Sequence, residues 1–122
     1  MTQSTPEMNE LLPLTTTVFH ILLSLADQER HGYGIMQEVE AMTQGQIQMG
    51  PGTLYGSIKR LIAAHLIEES DERPDPEQDD ERRRYYRLTT LGRRVLGAEA
   101  RRLSDLVKVA QGKHVVGSRE VV

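Results

Sequence analysis

Apolar residues recur along this chain at two different periods, and the change of period marks its elements. Leu11, Leu14, Val18, Ile21, Leu22 and Leu25 fall on one side of a helical wheel, so a first helix with a single buried stripe is predicted over residues 11–27. His31, Gly32, Tyr33 and Gly34 break that pattern. Ile35, Met36, Val39 and Met42 then predict a shorter second helix, with Glu38 and Glu40 turned to water and Gly45 closing it. Residues 46–50 read as a turn with a residue or two of strand at 47–49. Pro51 is suited to a helical first turn, where its missing N–H costs nothing, so a third helix is predicted over 51–65. It buries Leu54, Ile58, Leu61 and Ile62 and projects Thr53, Gly56, Lys59 and Arg60 outward, with Tyr55 on the flank.

The period then falls to two. Residues 66–70 and 84–88 read as strands, with Tyr86 facing the core beside Leu88, and Tyr85 facing solvent or a partner between Arg83 and Arg87. A polar loop over about 71–82, holding Pro74 and Pro76, joins them into a hairpin. Thr89 or Thr90 can cap a last helix over 90–111, in which Leu91, Val95, Leu96, Leu103, Leu106, Val107 and Ala110 form a continuous stripe about 31 Å long. Residues 1–10 and 112–122 read as flexible ends. The expected fold is mainly α with a small β-hairpin.

Composition narrows the function. The 122 residues suffice for one domain, and their lack of cysteine removes disulfides, thiolate metal sites and a cysteine nucleophile. Residues 11–26 form an uncharged apolar run, interrupted by Pro13 and short of the roughly 20 apolar residues a membrane span needs, so a cytoplasmic protein without membrane contact is expected. The four histidines lack ligand spacing, no serine sits in a nucleophile elbow, and Gly32-Tyr33-Gly34 lacks the third glycine of a dinucleotide fingerprint. Neither an enzyme nor a cofactor is expected.

The formal net charge of −3 argues against a nucleic-acid partner until it is resolved by position. Residues 1–81 carry four bases and fifteen acids, whereas 82–122 carry eleven bases and three acids. Nine acids fall between Glu68 and Glu81, and Arg82, Arg83, Arg84 and Arg87 follow at once. A loop of one sign thus meets a surface of the other. The acids would be repelled by phosphates, so only the stem at Arg82, Arg83 and Arg84 is expected to approach a duplex.

Three helices followed by a hairpin make a winged helix-turn-helix over residues 11–89, whose third helix can enter a major groove about 12 Å wide. The chain resembles the PadR family of bacterial transcriptional regulators through about residues 14–110. The resemblance is carried by His31-Gly32-Tyr33-Gly34, by Gly50-Pro51-Gly52-Thr53-Leu54-Tyr55, by Leu61 through Leu66-Ile67-Glu68, and by Arg84-Tyr85-Tyr86-Arg87-Leu88-Thr89. It implies a homodimeric repressor that binds a palindromic operator in double-stranded DNA and is often released by a small-molecule effector. The single C-terminal helix is similar to the short, LmrR-like members, in which that helix pairs with its counterpart and with the first helix of the other subunit.

Tyr33, Thr53, Tyr55, Gly56, Lys59, Arg60, Arg82, Arg83 and Arg84 are the DNA-binding candidates. Gly56 would also let another backbone come close. Leu14, Val18, Leu91, Val95, Leu103, Leu106, Val107 and Ala110 are the dimerisation candidates. No tryptophan exists and the last helix has no aromatic residue, so a dry aliphatic interface is favoured there over a pocket for a flat drug. Two other functions fit the pattern less well: a winged helix that binds proteins, and a small-molecule sensor with weak or no DNA binding.

Overall fold

The computed structural model describes residues 11–70 and 84–117. Helix α1 (Thr16–Ser24) starts later than the apolar stripe, because Thr15 takes an extended conformation and its side chain accepts a hydrogen bond from the Val18 N–H at 3.1 Å. Leu11 and Leu14 therefore pack on the core from the segment before the helix. Strand β1 (Arg30–His31) leads directly into helix α2 (Gly32–Met42). The break expected at 31–34 is in fact a cap and a first turn: the His31 Nδ1 accepts from the Gly34 N–H at 3.0 Å. The chain leaves α2 through Gln44 and Gly45, both at positive φ, and Gly45 donates its N–H to the Glu40 carbonyl at 2.8 Å.

Helix α3 (Pro51–Ala63) has Pro51 in its first turn, as its sequence dictates. Residues 47–49 are not strand. Strands β2 (Ile67–Ser70) and β3 (Tyr85–Leu88) pair antiparallel, with Ile67 opposite Leu88 and Ser70 opposite Tyr85. β1 adds to the other edge of β3, Arg30 opposite Tyr86 and His31 opposite Tyr85, so the hairpin is a three-stranded sheet of order β1-β3-β2. Helix α4 (Thr90–Gly112) follows, about 34 Å long. Thr89 caps it by accepting from the Gly92 N–H at 2.9 Å and donates its own hydroxyl to the His65 carbonyl at 2.6 Å.

The core lies where α1, α2, α3 and the first half of α4 meet the sheet. Ile21, Leu22, Ile35, Val39, Leu54, Leu66, Ile67 and Val95 are almost fully enclosed there, and each such aliphatic side chain contributes about 1.5–3 kcal/mol by leaving water. Ile62 does not join them. It stands about 80° around the helix from Leu54 and is 36% exposed, whereas Ser57 on the opposite flank is buried. Val95, expected at a dimer interface, is buried within the single chain and so has no surface to offer a second copy.

Two contacts fix α4 to the rest. At Gly92, a Cβ would sit 2.9 Å from the Leu66 carbonyl carbon, a separation that only glycine permits. One turn further than Val95, the buried Glu99 carboxylate accepts from the Leu14 N–H at 3.2 Å and from Arg102 at 2.8 and 2.9 Å. Beyond that point α4 carries exposed Leu106, Val107 and Val109.

Candidate nucleic-acid interface

Helix α3 divides as its wheel requires: Leu54, Ile58 and Leu61 point into the core, while Thr53, Tyr55, Lys59 and Arg60 are exposed. Gly50 at its N-cap provides no side-chain cap, so among the described residues the first-turn N–H groups of α3 meet no side-chain acceptor. Such a terminus favours an anion through both its open donors and the helix dipole.

The start of α2 lies beside the start of α3. Tyr55 crosses from α3 onto Gly32, whose absent Cβ would lie 2.6 Å from the tyrosine Cζ. Tyr33, one residue on, is 57% exposed. His31 lies parallel to Tyr33, with ring centroids 6.5 Å apart, and meets Tyr85 edge-on at 5.2 Å. Tyr85 is therefore buried instead of facing outward, because β1 closes over the edge of β3 that the two-stranded reading left open. Tyr86 is buried as expected, and burial pushes its hydroxyl pKa up, with Glu69 adding to the shift.

The cations sort into two groups. Arg30 pairs with Asp27 at 3.3 Å and Glu38 at 3.5 Å, and Arg87 pairs with Glu68 at 2.9 Å and Glu29 at 3.7 Å. Arg84 pairs with Glu69 at 2.9 Å, a bond that raises its pKa further. Both partners are exposed, so the pair opens at little cost when a phosphate competes. Lys59 and Arg60, by contrast, have no carboxylate partner among the described residues; Arg60 makes only a 3.3 Å hydrogen bond to the Ser57 hydroxyl. The long cations of α3 are thus open to an external anion, as are Arg94 and Arg101 on α4, which also lack a carboxylate partner among the described residues.

Among the described residues no other backbone lies against Gly56: a Cβ there would meet the Arg60 Nη1, at an ordinary 3.7 Å, so the glycine leaves that guanidinium room to move. Arg82, Arg83 and the acidic stretch 71–81 lie outside the described residues. Of the remaining dimerisation candidates, Leu106 and Val107 are each half exposed, and Leu91, Leu103 and Ala110 are partly covered. Leu14 and Val18 line a groove of about 220 Å³ between the first segment and α3. Sequence reasoning missed His31, Gly92 and Glu99 as organising residues. Only His31 carried a signal, since it stands at an N-cap position three residues before a backbone donor.

Among the described residues no group of three metal-ligating side chains occurs, and no helix is long and apolar enough to cross a membrane. The profile of the Transcriptional regulator PadR-like family matches residues 21–98. The chain is 36% identical over 101 residues to Transcriptional regulator Rv3488 of Mycobacterium tuberculosis, covering 81% of this chain and 88% of that protein. It is 35% identical over 86 residues to an uncharacterized 37.1 kDa protein in a transposon of Streptomyces fradiae, of which it spans 22%. Among solved structures, a PadR-like transcription factor from Bacteroides fragilis superimposes with a TM-score of 0.62 at 21% identity, covering 93% of this chain and 97% of that one. Bacillus subtilis PadR in complex with operator DNA superimposes with a TM-score of 0.57 at 21% identity, over 70% of this chain and 47% of that one.

Proposed function

Since this chain belongs to the PadR-like family of transcriptional regulators, whose members are not enzymes, we propose that it binds a palindromic operator as a homodimeric repressor. The observation that carries the reading is the pair Lys59 and Arg60, exposed on α3 and without carboxylate partners among the described residues. A cation already held by an acid must give it up to bind phosphate; these two need not. Thr53, Tyr33 and Tyr55 position the backbone around the open N-terminus of α3, and Arg60 and Lys59 reach base edges or phosphates.

Two incomplete apolar surfaces support the dimer. The groove beside Leu14 and Val18 is lined largely by apolar residues, together with Thr15, Ser57 and Arg60, and Leu106 and Val107 form an exposed ridge on the far half of α4. The ridge of one protomer filling the groove of the other removes both from water. At about 220 Å³ the groove is smaller than the roughly 300–1,000 Å³ of ligand sites, which favours a packed aliphatic interface over an effector pocket.

Selecting bound fragments from genomic DNA tests the whole reading. The expected product is a palindrome with half-sites centred about 34 Å apart or at a multiple of that distance. Enrichment of no sequence, with binding indifferent to salt, would refute it.

A further inference from the structure

The first turn of α2 is unusual in having glycine on both sides of its exposed tyrosine. Gly32 can be exchanged for a stiffer residue only by displacing Tyr55, which occupies the space of its Cβ. Gly34 adds a second flexible link, and each glycine weakens a helical turn relative to alanine. Tyr33 would accordingly wander unless something else fixed the turn. His31 supplies two restraints at that point: its Nδ1 accepts the Gly34 N–H at 3.0 Å, and its ring lies within 10° of parallel to Tyr33. His31 is itself anchored through β1, paired opposite Tyr85 and packed edge-on against that buried ring.

We propose that His31 is a positioning residue for DNA binding, which holds Tyr33 at the duplex by capping the glycine-flanked first turn of α2. This rests on reading Tyr33 as a DNA contact. The cap links that contact to the sheet, because the residue that orders the turn is also the last residue of β1. Loss of the cap frays a turn whose only large exposed side chain is Tyr33, so the effect on binding runs through that side chain.

A double-mutant cycle on an operator duplex recovered by selection tests the idea. His31→Ala should weaken binding about five-fold in the wild-type background, the size of a lost N-cap. In a Tyr33→Ala background it should weaken binding no further. His31→Asn, which keeps the cap acceptor, should bind within about two-fold of wild type. Thermal melts confine the comparison to folded protein, and His31→Gln, a poor cap of similar bulk, replaces His31→Ala if that variant does not fold. If Tyr33→Ala binds as wild type does, Tyr33 is not a contact and the proposal falls with it. If Tyr33→Ala weakens binding but His31→Ala costs the same factor in both backgrounds, Tyr33 stands and the role of His31 alone is overturned.

Discussion

The ring of Tyr55 on α3 lies against the bare Cα of Gly32 on α2, so closely that an added methyl would stand 2.6 Å from Cζ and 2.9 Å from Cε1. One side of the ring therefore packs within the protein while the residue remains 48% exposed. Gly32→Ala should force the ring away from α2 into solvent and weaken operator binding about as much as Tyr55→Ala does. Because the displaced ring is already half in water, the loss of stability should stay near the low end of the about 1–3 kcal/mol typical of overpacking. Paired gel-shift titrations and urea melts would check both; wild-type affinity in Gly32→Ala alongside weakened Tyr55→Ala would contradict it.

Among the described residues Arg60 is held only by the Ser57 hydroxyl. Arg60→Ala should cost about 1–3 kcal/mol of operator binding if the guanidinium reads a base, and it should relax the preference at one position of each half-site. Affinity measured against a panel of single-base operator variants distinguishes this from a phosphate contact, which would weaken all sequences alike.

Two glycines in α4 should respond in opposite directions. Gly92→Ala places a methyl 2.9 Å from the Leu66 carbonyl carbon, and backbone cannot swing aside as a side chain can, so a loss of about 1–3 kcal/mol or more is expected. Gly97 has nothing among the described residues within 4 Å of where its Cβ would be, so Gly97→Ala should gain up to about 1 kcal/mol from helix propensity alone. Chemical denaturation midpoints of the two variants would disagree with this account if they moved together.

Glu99 should make stability depend on acid. Its hydrogen bonds from Arg102, and to a lesser degree from the Leu14 amide, hold its carboxyl below the usual carboxylate range, against the opposing effect of burial. A lowered native pKa means the contribution is complete above the ordinary carboxylate value and is lost as pH falls through the lowered one. Glu99→Gln should therefore be destabilised by about 1–3 kcal/mol near neutrality. The gap to wild type should close on acidification below about pH 4. A gap that stays constant across that range would show that the charge of Glu99 contributes nothing.

Leu106, half exposed on the free half of α4, provides the test of assembly. Leu106→Glu places a charge in the proposed interface without touching the protomer core, so sedimentation should show the dimer dissociating at concentrations where the wild type remains paired. An unchanged dimer would move the interface elsewhere.

The long elements were legible in the sequence because each buries a stripe, and a stripe has a period. Leu54, Ile58 and Leu61 announced α3 and by subtraction its outer face. What stayed hidden was held by single contacts instead. β1 has two residues, too few for alternation, and without it Tyr85 could not be recognised as enclosed. Glu99 reads as an ordinary polar position of an amphipathic helix, since the Leu14 amide that makes its burial tolerable is 85 positions away. Gly92 reads as a weakness in α4 until the Leu66 carbonyl is seen beside it. The start of α1 was misplaced because the apolar stripe continues through Pro13 into chain that packs on the core from outside α1.

The pairing of β1 with β3 also sets an order of events as the chain is made. Arg30 and His31 emerge from the ribosome early, but their strand partners Tyr86 and Tyr85 follow only after α3 and β2 have been synthesised. The helices can collapse on one another before that, whereas the edge that steadies the start of α2 cannot. A nascent or truncated chain ending before Tyr85 thus lacks the strand that steadies the first turn of α2, and the order of that turn becomes a late product of synthesis.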